Sequence, residues 1–145
     1  MTNTIHDDYL ISTDKSLLDI TMIYGYLSGE SYWAKNMPMT VLKSSIDNSI
    51  CFGVYQQEQQ VGFARVITDQ ATFAYLADVF ILETHRGKGL SKWLMKTIMS
   101  HADLQGLRRW MLGIRDAHSL YEQFGWKPLS NPERFMQIHN PDIYS

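Results

Sequence analysis

Cysteine is nearly missing from this chain of 145 residues, with Cys51 the single example. One thiol closes no internal disulfide and makes no zinc site. Its setting in the run Ile50-Cys51-Phe52-Gly53-Val54 reads as that of a small buried hydrophobe. An excess of charge of one sign is missing too. Thirteen basic residues face fifteen acidic ones, for a net charge of -2, so nothing electrostatic recommends nucleic acid or an anionic membrane as a partner. No stretch approaches the roughly 20 apolar residues of a membrane span. Met1 to Asp8 lacks the basic start and apolar core of a signal peptide. Internal repeats, low-complexity tracts and linkers are absent as well. A reduced, soluble, cytoplasmic setting follows as the default, with no resident metal, and residues 1–145 are read as one domain.

What is present is an ordinary globular composition, 45% hydrophobic and 19% charged, on a chain long enough to close its own core. Tyr9 to Ser12 is a candidate first strand. From Lys15, apolar residues at Leu17, Leu18, Ile20, Met22, Ile23 and Leu27 fit one helical face, with Asp14 as N-cap and Gly29 as stop. Met39 to Ile46, after Pro38, reads as a second helix. The period then changes: Ile50–Gln56, Val61–Thr68 and Ala74–Leu82 read as strands, the last apolar apart from Asp78 and so central in a sheet. A strong helix follows Gly89, marked by Leu90, Trp93, Leu94, Ile98 and Met99. Arg108 to Ile114 reads as a strand, Ala117 to Phe124 as a short helix, and Phe135 to His139 as a last strand. The order predicts an α/β (α+β) fold, with a mixed, mostly antiparallel central sheet and helices on both faces.

Chemistry concentrates where the third strand of that meander meets the long helix, at Glu83-Thr84-His85-Arg86-Gly87-Lys88-Gly89-Leu90-Ser91. A helix that begins after a glycine loop presents unpaired N–H groups and the positive end of its dipole, which together form a phosphate cradle. Arg86 and Lys88 add charge there. A bare Gly-x-Gly is also compatible with a simple connecting turn. The P-loop pattern does not fit, and the dinucleotide fingerprint fails because Lys92 stands where its third glycine belongs.

The run Arg86-Gly87-Lys88-Gly89-Leu90-Ser91 resembles the Arg/Gln-x-x-Gly-x-Gly/Ala pyrophosphate loop of the GNAT superfamily of acyl-CoA-dependent N-acyltransferases. Further along, Leu120-Tyr121-Glu122-Gln123-Phe124-Gly125-Trp126 is similar to the superfamily's Leu-Tyr-x-x-x-Gly-Phe segment. The likeness runs from about Ile50 to Trp126 and leaves the first helices, where acceptor specificity usually resides, largely unmatched. It implies a GNAT-like fold and acetyl-CoA as cosubstrate. It also implies that backbone groups at Val79, Phe80 and Ile81 pair with the pantetheine arm, and that amides from Arg86 to Ser91 (Arg86, Gly87, Lys88, Gly89, Leu90, Ser91) hold the pyrophosphate. Tyr121 falls on the superfamily's usual general acid for the departing thiolate, a role open to a positioned phenol; a packed core aromatic is the other reading. Where Ile114 stands, many members carry an asparagine, and Asp116 and His118 either compensate or, for Asp116, cap the helix.

A carboxylate or water chain must take the acceptor's proton. Asp78, a lone acid in an apolar strand, is the candidate base, or else a structural partner of Arg65. Glu83 and Asp69 are reserves with the character of solvated loop acids, and His85 that of a surface residue. Tyr32 and Trp33 either wall an acceptor pocket or pack on the sheet, and Glu30 is a weak candidate to attract an amine. The resulting expectation is an N-acetyltransferase acting by direct transfer on a primary amine of a small molecule, peptide or protein. The alternatives are a non-catalytic acyl-CoA-binding module and, more remotely, a nucleotide-phosphate binder. A homodimer is left open.

Overall fold

A computed structural model describes residues 2–145. Its frame is one six-stranded sheet in the order β1-β2-β3-β4-β5-β6. The strands are β1 (Asn3–His6), β2 (Tyr9–Ser12), β3 (Ile50–Gln56), β4 (Gln59–Thr68), β5 (Phe73–Ile81) and β6 (Arg109–Leu112). Five run antiparallel to their neighbours, and β6 lies parallel to β5 after a crossover. The expected mixed, mostly antiparallel sheet is therefore the observed one.

Helices cover both faces. On one, α3 (Leu90–Met99) lays Leu90, Leu94, Met95 and Ile98 against Phe52, Val54, Val66 and Leu76. On the other, α1 (Ile20–Gly25) and α2 (Met39–Asp47) bring Ile23, Leu42 and Ile46 onto Cys51, Phe63 and Phe80. A last short helix, α4 (His118–Glu122), follows β6.

Leu76 and Phe80, four residues apart, would share a face of a regular strand. They lie instead in opposite cores. The register slips between Phe63 and Arg65, so that Asp78 and Val79 together oppose Ala64. Asp78 takes φ 56 there, a left-handed conformation that Asp tolerates better than most residues. This bulge bends β5 at the point where it leaves β6.

Several expectations need correcting. The single helix from Lys15 is broken into a tight turn at Lys15–Leu17, α1, and a wide turn of π type at Tyr26–Glu30. Leu18 is extended, and the Asp19 carboxylate accepts from the Met22 amide at 3.0 Å to start α1. Asp14 caps only the first turn. β1 was not anticipated. Phe135–His139 forms no strand: a tight turn at Pro132–Arg134 precedes it and takes the Phe135 amide on the Pro132 carbonyl at 3.1 Å, and Met136–His139 pair with no strand among the described residues.

Candidate active site

β5 pairs with β6 only from Phe73 to Leu76. Beyond Leu76 the two strands part, and the bulge at Asp78 carries the end of β5 away. Leu82 donates its amide to the Val61 carbonyl at 2.8 Å. Successive residues of a strand turn their backbone groups to opposite sides, so Phe80 faces β4 while Val79 and Ile81 face the opening. This corrects the expected set: Phe80 offers no backbone group to the open edge. Its ring is stacked on Tyr26, centroids 3.9 Å apart, in the α1–α2 core.

The open edge leads to the glycine loop. Gly87 and Gly89 adopt φ 78 and 79, values that side chains rarely tolerate, and a Cβ at either would meet nothing within 4 Å. Gly89 occupies the cap position of α3 and no side chain caps the helix. The helical ladder begins with the Trp93 amide on the Gly89 carbonyl, so the amides of Leu90, Ser91 and Lys92 are left for a ligand. These residues line a basin of about 230 Å3 with Arg86, His85 and Leu120. The Arg86 guanidinium donates through Nε to the Ile81 carbonyl at 2.9 Å, tying the loop to the open edge. His85 is not a free surface group: its Nδ1 lies 2.9 Å from the buried Tyr9 hydroxyl, toward which Lys88 also reaches at 3.4 Å.

Where β5 and β6 diverge, a cleft of about 260 Å3 opens between Tyr32, Trp33, Asp78, Val79, Ile114, Asp116 and Tyr121. Tyr121, on α4, buries its ring edge-on against Trp126 at 5.9 Å. Its hydroxyl makes no hydrogen bond to the described residues, yet it is not sealed off as the Tyr55 hydroxyl is. Burial, and secondarily Tyr32, raise its pKa above that of an ordinary phenol, so the group stays protonated at neutral pH.

Asp78 reaches the same cleft with both oxygens engaged. Oδ2 accepts from Arg65 Nε at 2.8 Å, and Oδ1 accepts from Trp33 Nε1 at 2.8 Å. Arg65 donates onward to the Ser49 hydroxyl at 3.1 Å. The structural partner weighed for Asp78 is thus in place, along with a second donor that the sequence did not disclose. Trp33 both walls the cleft and anchors the bulge. Tyr32 closes the outer side: its hydroxyl accepts from the Arg115 amide at 3.1 Å, and the Arg115 guanidinium lies 3.9 Å from its ring centroid.

The remaining candidates take other places. Asp116 does not cap α4, which starts at a left-handed Ala117 with no side-chain cap; it lines the cleft instead. Asp69 organises a turn, accepting from the Ala71, Thr72 and Phe73 amides and the Thr72 hydroxyl. Those bonds hold its carboxyl far below the usual range. Glu30 is exposed and bonds to nothing in the site.

A family model described as an acetyltransferase (GNAT) domain matches residues 47–128. A Gibberella zeae protein named as an acetyltransferase is 38% identical over 141 residues, covering 82% of this chain and 78% of that protein. The crystal structure of a Xanthomonas campestris protein assigned to the GNAT family superposes with a TM-score of 0.94 at 50% identity, over 96% of this chain and 98% of that one. A Deinococcus radiodurans structure, TM-score 0.73 at 20% identity over 98% and 95%, shares the fold.

Proposed function

The chain belongs to the GNAT acetyltransferase family and is an N-acetyltransferase, and from that premise we propose that it moves the acetyl group of acetyl-CoA directly onto a primary amine. The observation that carries the reading is the parting of β5 from β6 after Leu76. It leaves one unpaired strand edge, at Val79 and Ile81, running from the hydroxyl of Tyr121 to the free amides of α3.

An extended pantetheine arm fits that edge as an added strand, and the pyrophosphate fits the Arg86–Ser91 cradle. A pyrophosphate is a stronger acceptor for a guanidinium than a neutral carbonyl. Arg86 would therefore exchange its bond to the Ile81 carbonyl for one to phosphate, which releases that carbonyl for the arm. The thioester supplies an acyl carbon open to attack. Tyr121, a phenol that is protonated at neutral pH, donates its proton to the departing thiolate and regains one from solvent after the product leaves. Asp78 holds the bulge through Arg65 and Trp33, and through the bulge the direction of the Val79–Ile81 edge. The amine's proton leaves to water in the open cleft, beside Asp116, a lining carboxylate without a hydrogen-bond partner among the described residues.

The acceptor enters past Tyr32 and Trp33 and is a small molecule or the end of a peptide or protein. Among the described residues no helix is long and apolar enough to cross a membrane. The single buried thiol is in keeping with a reducing, cytoplasmic setting.

Thermal melts with acetyl-CoA, CoA and ATP test the cofactor. Both CoA species should raise the melting temperature more than ATP, which lacks the arm; equal, null shifts from all three reject the assignment. Thiol release across amines, polyamines, amino acids and peptides then tests turnover. Binding with no turnover on any of them would leave a non-catalytic acyl-CoA module.

A further inference from the structure

β6 is the last strand of the sheet, and outside it lies an apolar slot of about 310 Å3. One wall is β6 with its continuation to Ile114, the other is the stretch from Trp126 to Leu129, and Tyr121 and His118 form the floor. No strand pairs with β6 on this side, and none pairs with the Trp126–Leu129 wall, among the described residues. The indole N–H of Trp126 is buried without an acceptor among the described residues. Two unpaired backbone edges with apolar side chains between them suit one additional strand.

The same chain carries a strand-like segment that pairs with no strand among the described residues. Phe135-Met136-Gln137-Ile138-His139 places apolar Met136 and Ile138 on one side of an extended run. Both are completely in solvent, at 98% and 105% exposure. Large apolar side chains so presented, beside an unpaired edge, mark an interaction surface. Phe135 lines a neighbouring pocket that shares Lys127, Pro128 and Leu129 with the slot, its ring 4.7 Å from the Arg109 guanidinium at the start of β6.

We propose that Met136–His139 of one copy fills the slot beside β6 of a second copy, and the reverse, in a two-fold strand-exchanged dimer. The segment's own slot is the poorer destination. Entering it requires undoing the turn at Pro132–Arg134 and the Phe135–Arg109 contact, whereas a second copy meets segment and slot as they stand. The incoming strand covers Met136 and Ile138, pairs both bare edges and brings backbone carbonyls to the region of the Trp126 N–H. Because Tyr121 floors this slot and also lines the β5–β6 cleft, the partner's strand packs behind the aromatic ring of the site. The inference needs only the fold and stands whether or not Tyr121 is the proton donor.

Sedimentation velocity on the full chain across micromolar concentrations, joined to hydrogen exchange read by mass spectrometry, tests it. The wild-type chain should sediment as a dimer, with slow exchange in 109–114 and in 136–139. Met136→Glu with Ile138→Glu should halve the sedimenting mass, keep a native circular dichroism spectrum and release protection in both segments together. A monomeric wild-type chain overturns the proposal, and so does a monomer with both segments protected, which means insertion into its own slot. A dimer that survives the double substitution overturns it as well, since another face would then hold the copies together. The exchange pattern of the wild-type chain needs no variant, so a misfolded variant does not blunt the test.

Discussion

Replacing Asp78 by asparagine separates a proton acceptor from a structural anchor. Asparagine keeps the shape and the tolerance for a left-handed backbone, so φ 56 adds no new strain. It cannot keep the bonding. Asp78 accepts from two donors, Arg65 Nε and Trp33 Nε1, both at 2.8 Å, and an amide would turn its own NH2 toward one of them. Arg65 and Asp78 have side-chain exposures of 13% and 5%, so little water is at hand to compensate. A bond to a charged group contributes about 1.5–3 kcal/mol, and stripping one partner from a buried ion pair costs about 3–5 kcal/mol. Arg65 keeps its bond to Ser49, which argues for the lower part, about 3 kcal/mol. At roughly 2–4 °C per kcal/mol for a domain of this size, the melting temperature should fall by roughly 6–12 °C.

Urea unfolding followed by tryptophan fluorescence measures the loss, and Arg65→Met with the double variant completes the cycle. The double variant should be less destabilised than the sum of the singles, because no charge is then left buried alone. Affinity for acetyl-CoA should weaken with the bulge, while the folded fraction retains measurable turnover. A stable Asp78→Asn protein with turnover collapsed and cofactor affinity intact would refute the anchor reasoning and make Asp78 the base.

Three further outcomes follow from the same geometry. Gly89→Glu should abolish acetyl-CoA binding in calorimetric titration while the circular dichroism spectrum stays native: the added carboxylate enters the anion cradle, and the left-handed φ costs about 1–2 kcal/mol. Unchanged affinity would put the pyrophosphate elsewhere. Tyr121→Phe should lower turnover by about 10²–10⁴-fold, toward the smaller figure because a thiolate leaves tolerably without a proton, with melting temperature and acetyl-CoA affinity nearly unchanged since the hydroxyl has no protein partner; a parallel loss of stability would make it a structural hydroxyl. Burial pushes the Cys51 thiol from 9.0 up to about 11. With the folded value raised, its contribution is complete below pH 9 and is lost as pH climbs toward 11, on the order of 2–3 kcal/mol. Unfolding profiles of wild type and Cys51→Ala should therefore converge across that window, and parallel profiles would contradict the shift.

What could be read from the sequence was whatever depends on neighbours along the chain. The Arg86–Ser91 loop announces itself because two glycines and a helix start lie side by side, and Leu120–Trp126 because a tyrosine, a glycine and an aromatic sit on one short turn. The alternation of β3 to β5 was equally plain. The bulge was not: its one local trace is a carboxylate in an apolar strand, and the bonds that explain it come from Arg65 on the next strand and from Trp33 in the segment before α2. The break at Leu18 hid for the opposite reason, since Leu17 and Leu18 fit a helical face by spacing while Asp19 holds the actual cap.

Phe135–His139 separates pattern from pairing most sharply. Its alternation is that of a strand, yet it has no strand partner among the described residues, and β6 keeps an open edge near it. A periodic pattern reports which residues want burial against a pleated surface; it does not report whose surface. If the surface belongs to a second copy, then a local pattern correctly identified a strand that a single chain cannot complete. The wall behind Tyr121 then depends on protomer concentration, so dilution should loosen the site before it unfolds the sheet.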